Sequence, residues 1–258
     1  MKVCVLGSGS GGNCTYVASE TTAILIDAGL SGRATGQRLA EFGASLESIQ
    51  AICVTHEHSD HTSGLAVLHR GGVVKLYANS GTVEGIEAKA GDKKLQWNII
   101  STGANFQIGD LSIDPFTVPH DAYDPVGFVI RCGETRVGVV TDMGMVTGLI
   151  RERLRTCNVL VVESNHDEQM LKAADRPWHL KQRISGRQGH LSNQHAAELL
   201  LEIAGPHLKA VFLAHLSSEC NSPDLAKRTI EGALMSKGHP HIRVMVAPSD
   251  RVSEIWQE

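Results

Sequence analysis

The sequence predicts an α/β chain of the α+β kind, with sheets covered by helices rather than a doubly wound parallel sheet. Strand-like runs are short and numerous, and several are apolar throughout, as strands buried on both faces are. Helical patterns lie between them at uneven intervals, and hairpin signals occur early and in the middle. With 258 residues, 42% of them hydrophobic, the chain can bury one large core, and no linker, repeat or low-complexity tract divides it. A single domain over 1–258 is therefore expected.

The run "KVCVL" opens the chain. Behind it "GSGSGG", Gly7 to Gly12, fits the dinucleotide pattern G-x-G-x-x-G, with Asp27 at a distance suited to a ribose. Such a site needs a helix after the glycines, facing the pyrophosphate. The chain instead continues "NCTYVASETTAILIDAG", rich in Thr, Val and Ile around a polar "SETT", which reads as a hairpin. The glycines are expected to let backbone pass close to another group. "AICVT", "VVKLYA", "LSIDPFTV", "GFVIR", "RVGVVTD" and "VLVVES" follow as strands, and "RERLR", Arg151 to Arg155, as the exposed face of a helix. "SNQHAAELLLEIAG" is a helix that opens on Ser192 and closes on Gly205. After the strand "AVFLAH" comes a second helix, with Ser222 as cap, Pro223 at the first position and Gly238 past the end. "IRVMVA" closes the series.

Net charge is −4, so any nucleic-acid surface has to be a local patch. No apolar run approaches the roughly 18 residues of a membrane span. The apolar segment in "MKVCVLGSGSGGN" is too short for a signal peptide. Six cysteines, at 4, 14, 53, 132, 157 and 220, form no C-x-x-C pair and read as reduced core thiols. A cytoplasmic protein with no membrane contact is expected.

The chemistry concentrates in "VTHEHSDHTSG", Val54 to Gly64, directly after an apolar run. A solvated loop does not explain so many imidazoles at a strand end. The zincin pattern H-E-x-x-H fails because Asp60 stands where its second histidine belongs, and Ser59-Asp60 reads as loop rather than helix. The pattern present is H-x-H-x-D-H: His56, His58, Asp60 and His61. Residues two apart in an extended segment point to one side, so His56 and His58 can share an ion. Asp60 and His61 turn away and can serve a second one. Three imidazoles and a carboxylate suit zinc, and also manganese or iron.

This pattern resembles the signature of the metallo-β-lactamase fold superfamily, and the other elements of that signature occur in order. Asp27 in "ILIDAG" matches the aspartate behind the histidine loop, His120 in "FTVPHDA" the lone histidine, Asp142 in "VVTDMG" the bridging aspartate and His215 in "VFLAHLS" the final histidine. "GSGSGGN", "LIDAGLS", "VESNHD", "LKQRISGRQGHLSN" and "AHLSSECNSP" resemble the YycJ/WalJ subgroup of bacterial enzymes described as DNA exonucleases. His166 and Cys220 depart from it, standing where Tyr and Asn are expected.

The resemblance implies a four-layered αββα sandwich and two divalent metal ions, zinc first and manganese as the alternative. It places His56, His58 and His120 on one ion, Asp60, His61 and His215 on the other, and Asp142 between them. A water of lowered pKa shared by the ions would attack phosphorus, with Asp60 orienting it. Among the remaining histidines, His69, His195, His207, His239 and His241 read as surface or packing residues. His190 differs: it follows a segment holding Arg176, Lys181, Arg183 and Arg187, with no acid between 176 and 187. That segment is either a solvated basic face or a phosphate grip, with Arg183 and Arg187 as candidate substrate contacts and His190 as acid to the leaving group. The expected function is a binuclear phosphodiesterase or nuclease acting on nucleic acid, DNA rather than RNA. Hydrolysis of a small ester, thioester or lactam is the alternative, and a non-hydrolytic member a third.

Overall fold

The computed structural model of the protein describes residues 1–70, 72–90 and 95–258. Among these, two seven-stranded sheets form. The first contains β1 (Lys2–Gly7), β2 (Cys14–Ala18), β3 (Ala23–Ile26), β4 (Ile49–Cys53), β5 (Lys75–Asn79) and β6 (Trp97–Ile100). The second contains β7 (Phe106–Ile108), β8 (Leu111–Thr117), β9 (Val126–Cys132), β10 (Thr135–Val140), β11 (Val159–Glu163), β12 (Ala210–Ala214) and β13 (Arg243–Val246). A last short strand, β14 (Trp256–Gln257), returns to pair with β1. Each sheet is antiparallel at one side and parallel at the other: β3 to β6 run parallel in the first, β10 to β13 in the second.

Alternation along the apolar runs builds three cores. In β1, Val3 and Val5 face the other sheet, whereas Cys4 and Leu6 face outward. In β12, Ala210 and Phe212 join the core between the sheets, and Val211 and Leu213 join the outer one. The first sheet's outer face is covered by α1 (Gly32–Ala40), the single turn α3 (Leu65–Leu68) and α4 (Ser80–Ala90), while the single turn α2 (Ser59–Thr62) lies past β4 and buries His61. The second is covered by α5 (Gly148–Leu154), α8 (Asn193–Ile203) and α9 (Pro223–Ser236). The layers are thus helix, sheet, sheet, helix, as expected. Two further short helices, α6 (Glu168–Ala173) and α7 (Trp178–Ile184), lie between β11 and α8.

Both long helices start as their caps dictate: Ser192 accepts from His195 N–H and Ser222 from Leu225 N–H, with Pro223 in the first turn. The opening glycines lead into strand β2 and not a helix, and β2 pairs antiparallel with β3 around "SETT", so the hairpin reading holds. The segment expected to loop at Ser59-Asp60 instead closes one helical turn, because His58 accepts from His61 N–H and Ser59 from Ser63 N–H. "RERLR" lies largely in α5, whose Ile150 and Leu154 are buried while Arg151 pairs with Glu202 and Arg153 with Asp114. Five cysteines are buried and Cys132 is half-buried, all as free thiols. No helix among the described residues is long and apolar enough to cross a membrane.

Phe212 fills the space between the sheets and is fully buried. Phe212→Ala should cost about 3–5 kcal/mol, the range for an aromatic removed from a packed core. Denaturant unfolding checks this; a loss below about 1 kcal/mol would mean that the two sheets do not depend on this contact.

Candidate metal centre

The parallel strands deliver their chemistry to one edge. Asp27 follows β3, His56 lies three residues past β4, Asp142 two past β10, Glu163 ends β11 and His215 follows β12. Ligand sites gather beyond the carboxyl ends of parallel strands for this reason. Among the described residues, four groups form in which nitrogen and oxygen atoms all lie within 4.8 Å of one another: His56, His58 and His120; Asp60, His61 and His215; His56, His61 and Asp142; and Asp142, Glu163, His190 and His215. The first two are the sets expected from the sequence. Asp142 touches both groups, with Oδ2 3.1 Å from His61 Nε2, Oδ1 3.9 Å from His120 Nε2 and Oδ1 3.3 Å from His215 Nδ1. All seven residues expected from the sequence are therefore brought together.

Some of their polar atoms lack any partner within the protein. His56 Nε2 and His215 Nε2 are buried without a hydrogen-bond partner, and Asp60 Oδ2 lies 3.5 Å from the latter, beyond a normal hydrogen bond. Leaving such atoms unsatisfied is costly unless something else pairs with them. The charges agree. Burial opposes protonation of His61, but the Asp27 and Asp142 carboxylates outweigh it and hold its imidazole well above the usual range. His215 is pushed up to about 10: burial works against this, and Asp142 overcomes it. Burial, reinforced by the charge on His61, keeps His56 well below the usual range. Carboxylates this deep need cations, which protons supply in the bare chain and divalent ions can supply instead. The residues fit a pair of metal ions.

The opposite edges of the rings are tied to the scaffold. His61 Nδ1 donates to Asp27 Oδ2 at 2.7 Å, and Asp27 also accepts from the Thr55 amide and hydroxyl. His56 Nδ1 meets Thr55 Oγ1 at 3.0 Å, and His120 Nδ1 donates to the Gly189 carbonyl at 3.2 Å. Asp27 thus sits behind the histidine loop. Glu57, within the motif, turns away: its carboxylate accepts from Tyr123 N–H and anchors the loop carrying His120. From the glycine loop, Ser8 Oγ accepts from His215 N–H, and Asn13 Nδ2 lies 3.3 Å from Asp60 Oδ2.

Glu163 was not singled out from the sequence. It is fully buried, and its Oε1 accepts from His190 Nδ1 at 2.8 Å and His215 Nδ1 at 3.0 Å. Its Oε2 accepts from the Met143 and Leu191 amides. Burial alone would raise its carboxyl, yet His190 overcomes this and brings it down to about 2. The signal was a lone acid closing the apolar strand "VLVVES", where only a fully paired carboxylate can lie.

The strand ends are held in unusual backbone. Asp27, Asp142 and His215 have φ of 62°, 56° and 56°, a region that side chains with a Cβ adopt at a cost of order 1–3 kcal/mol each. The loops also pass very close. A Cβ on Gly29 would fall 1.7 Å from the Asp60 carbonyl oxygen, and one on Gly64 2.1 Å from that of Leu30.

A cavity of about 310 Å³ opens over the centre, lined by His58, Asp60, His120, Asp142, His190 and His215 and rimmed by Arg176 and Arg183. His190 joins the centre through Glu163, with Nδ1 3.6 Å from Asp142 Oδ1. The basic segment is less free than its sequence suggests: Arg176 pairs with Glu219 and Arg183 with Asp121. Arg187 is exposed and is not among the residues lining the cavity; its backbone packs against Gly144. His69 bonds the Val74 carbonyl and His241 the Gly205 carbonyl, in keeping with packing roles.

Residues 22–215 match the family described as "Beta-lactamase superfamily domain", and the chain belongs to that superfamily. Within it, the chain is 36% identical over 238 residues to the "Exodeoxyribonuclease YycJ" of Bacillus anthracis, covering 91% of this chain and 89% of the relative. It is 36% identical over 236 residues to the "Exodeoxyribonuclease WalJ" of Streptococcus pneumoniae strain D39, covering 90% and 88%. The metallo-beta-lactamase fold protein YhfI from Bacillus subtilis superposes with a TM-score of 0.75 over 100% of this chain and 98% of that one, at 16% identity.

Gly29→Ala should drive the Asp60 loop outward and lower stability by about 1–3 kcal/mol, the usual range for overpacking. Gly148→Ala, where a Cβ meets nothing within 4 Å, is the control and should be neutral. Thermal unfolding of both variants checks this; equal melting temperatures would show that the loop yields freely.

Proposed function

We propose that the chain is a binuclear metal-dependent phosphodiesterase that degrades DNA from an end. The observation that carries this reading is the meeting of two ligand groups on one shared carboxylate, Asp142, beneath a cavity with arginines at its rim. The DNA and the end-directed cleavage come from the relatives named as exodeoxyribonucleases, with which the chain aligns over nine-tenths of its length. His56, His58 and His120 would hold one ion, Asp60, His61 and His215 the second, and Asp142 both. Zinc suits this set best and manganese is the alternative. When bound, the ions polarise phosphoryl oxygens and lower the pKa of water into the neutral range.

The chain's own residues supply the rest. Asp60, at the cavity wall, can accept a hydrogen bond from an attacking water and orient it. His190 is clamped through Nδ1 by Glu163, so its other nitrogen, Nε2, is available to hold a proton for the oxygen that leaves phosphorus. Burial opposes a charged imidazole there, but Glu163 outweighs it and raises His190, which keeps the acid form populated. Arg183 is held near the cavity by an exposed ion pair to Asp121, a pairing worth at most about 1 kcal/mol and readily exchanged for a phosphate.

His190→Ala should retain both ions and the fold yet slow phosphodiester cleavage by about 10²- to 10⁴-fold, the usual contribution of a general acid. His215→Ala should lose metal instead. Elemental analysis beside rate measurements separates them, and metal loss from His190→Ala with none from His215→Ala would reverse the two roles.

Arg183→Ala and Arg187→Ala should raise the DNA concentration needed for half-maximal rate more than they slow bis(p-nitrophenyl) phosphate, with the DNA effect fading at high salt. Equal losses on both substrates would place these arginines at the reacting phosphate or in the fold. Rapid thioester or lactam hydrolysis without cleavage of DNA or RNA would overturn the nuclease reading in favour of a small-molecule hydrolase.

A further inference from the structure

A second cavity, of about 280 Å³, adjoins the first. Helix α7 is the wall between them: Leu180, Arg183 and Ile184 line the metal side, whereas Trp178, Lys181 and Gln182 line the other. His190 lines both, so the two spaces meet at the residue that would protonate the leaving oxygen. None of the seven residues of the metal centre lines this second cavity.

Two of its residues are out of keeping with a structural part. Trp178 is 67% exposed, a large aromatic left in solvent at the edge of this cavity. His166 is only 2% exposed, yet its Nδ1 is buried with no hydrogen-bond partner. An unsatisfied buried nitrogen is expensive in a folded chain and is commonly satisfied by a ligand or water. Burial holds the His166 imidazole below the usual range, hence neutral, with one donor and one acceptor nitrogen. His195 lines the same cavity and meets Ser192 Oγ through Nδ1 at 3.1 Å.

We infer that this second cavity holds the nucleobase next to the phosphate being cleaved, with Trp178 stacking on its face and His166 bonding its polar edge. The inference rests on the phosphodiesterase reading for the position of that phosphate. It follows from what the two cavities offer together: an anion site and an aromatic-lined, hydrogen-bonding site, joined at His190. A nucleotide is a ligand with both parts in covalent succession. Stacking tolerates every base because each has a π-face. Purines, with the larger face, should bind more tightly than pyrimidines.

The test uses the zinc-loaded full chain and ligands it cannot cut. Calorimetry compares deoxyadenosine 5′-monophosphate with deoxyribose 5-phosphate, which has the same phosphate and no base. The wild type should bind the nucleotide about tenfold more tightly or better, the effect of one base–aromatic stack. Trp178→Ala should bring the two ligands close to equality, Trp178→Phe should keep most of the preference, and His166→Ala should reduce it. Because Trp178 is exposed, its loss leaves the packing intact, and deoxyribose 5-phosphate binding should not change. Equal binding of the two ligands by the wild type, or a preference untouched in Trp178→Ala, would overturn the inference. Cleavage of DNA is scored separately: a Trp178-dependent base preference supports the site even in a chain that cuts no phosphodiester, an outcome that removes the proposed activity alone.

Discussion

The centre depends on how its imidazoles are held. His56, His61, His120, His190 and His215 each direct Nδ1 to a protein group: Thr55, Asp27, the Gly189 carbonyl and, twice, Glu163. That bond fixes the plane of each ring. His58 is arranged differently, with Nδ1 3.3 Å from His120 Nε2. A ring tethered on one edge keeps its orientation, and His56 Nε2 and His215 Nε2 are left without a hydrogen-bond partner. Asp27 and Glu163 are the fixed points of this arrangement, one under each sheet's contribution.

Bringing these side chains together has a cost in backbone freedom. Three of the residues at the strand ends adopt left-handed backbone, and glycines let the loops approach to distances no side chain permits. Asp142, itself in left-handed backbone, lies near both groups, with Oδ2 3.1 Å from His61 Nε2 and Oδ1 3.9 Å from His120 Nε2. The two cores outside the sheets and the one between them supply the rigidity that this strain requires.

His56, His58, Asp60 and His61 were legible from their own spacing after an apolar run, whereas His120, Asp142 and His215 were legible through the family resemblance, each after a strand-like run. The layered fold was legible from the uninterrupted apolarity of strands such as "VLVVE" and "AVFLA", which have a core on each face. Glu163 escaped notice because it closes such a run, where a single acid reads as nothing more than a strand end. The free charge of the basic segment was overread, since Glu219 and Asp121, the partners of Arg176 and Arg183, are 43 and 62 residues away in the chain. Strands β6, β7 and β14 were missed because they are short edge pieces, and β6 and β7 are partly exposed, with little periodic signal. The one-turn helix α2 is too brief for any periodicity to reveal.

The central claim is that this edge holds two ions bridged by Asp142. Anomalous diffraction from crystals of the zinc-loaded protein tests it most directly. Two peaks are expected, one among His56, His58 and His120 and one among Asp60, His61 and His215, with Asp142 between them. A single peak at full zinc occupancy, or two peaks that Asp142 does not join, would contradict it.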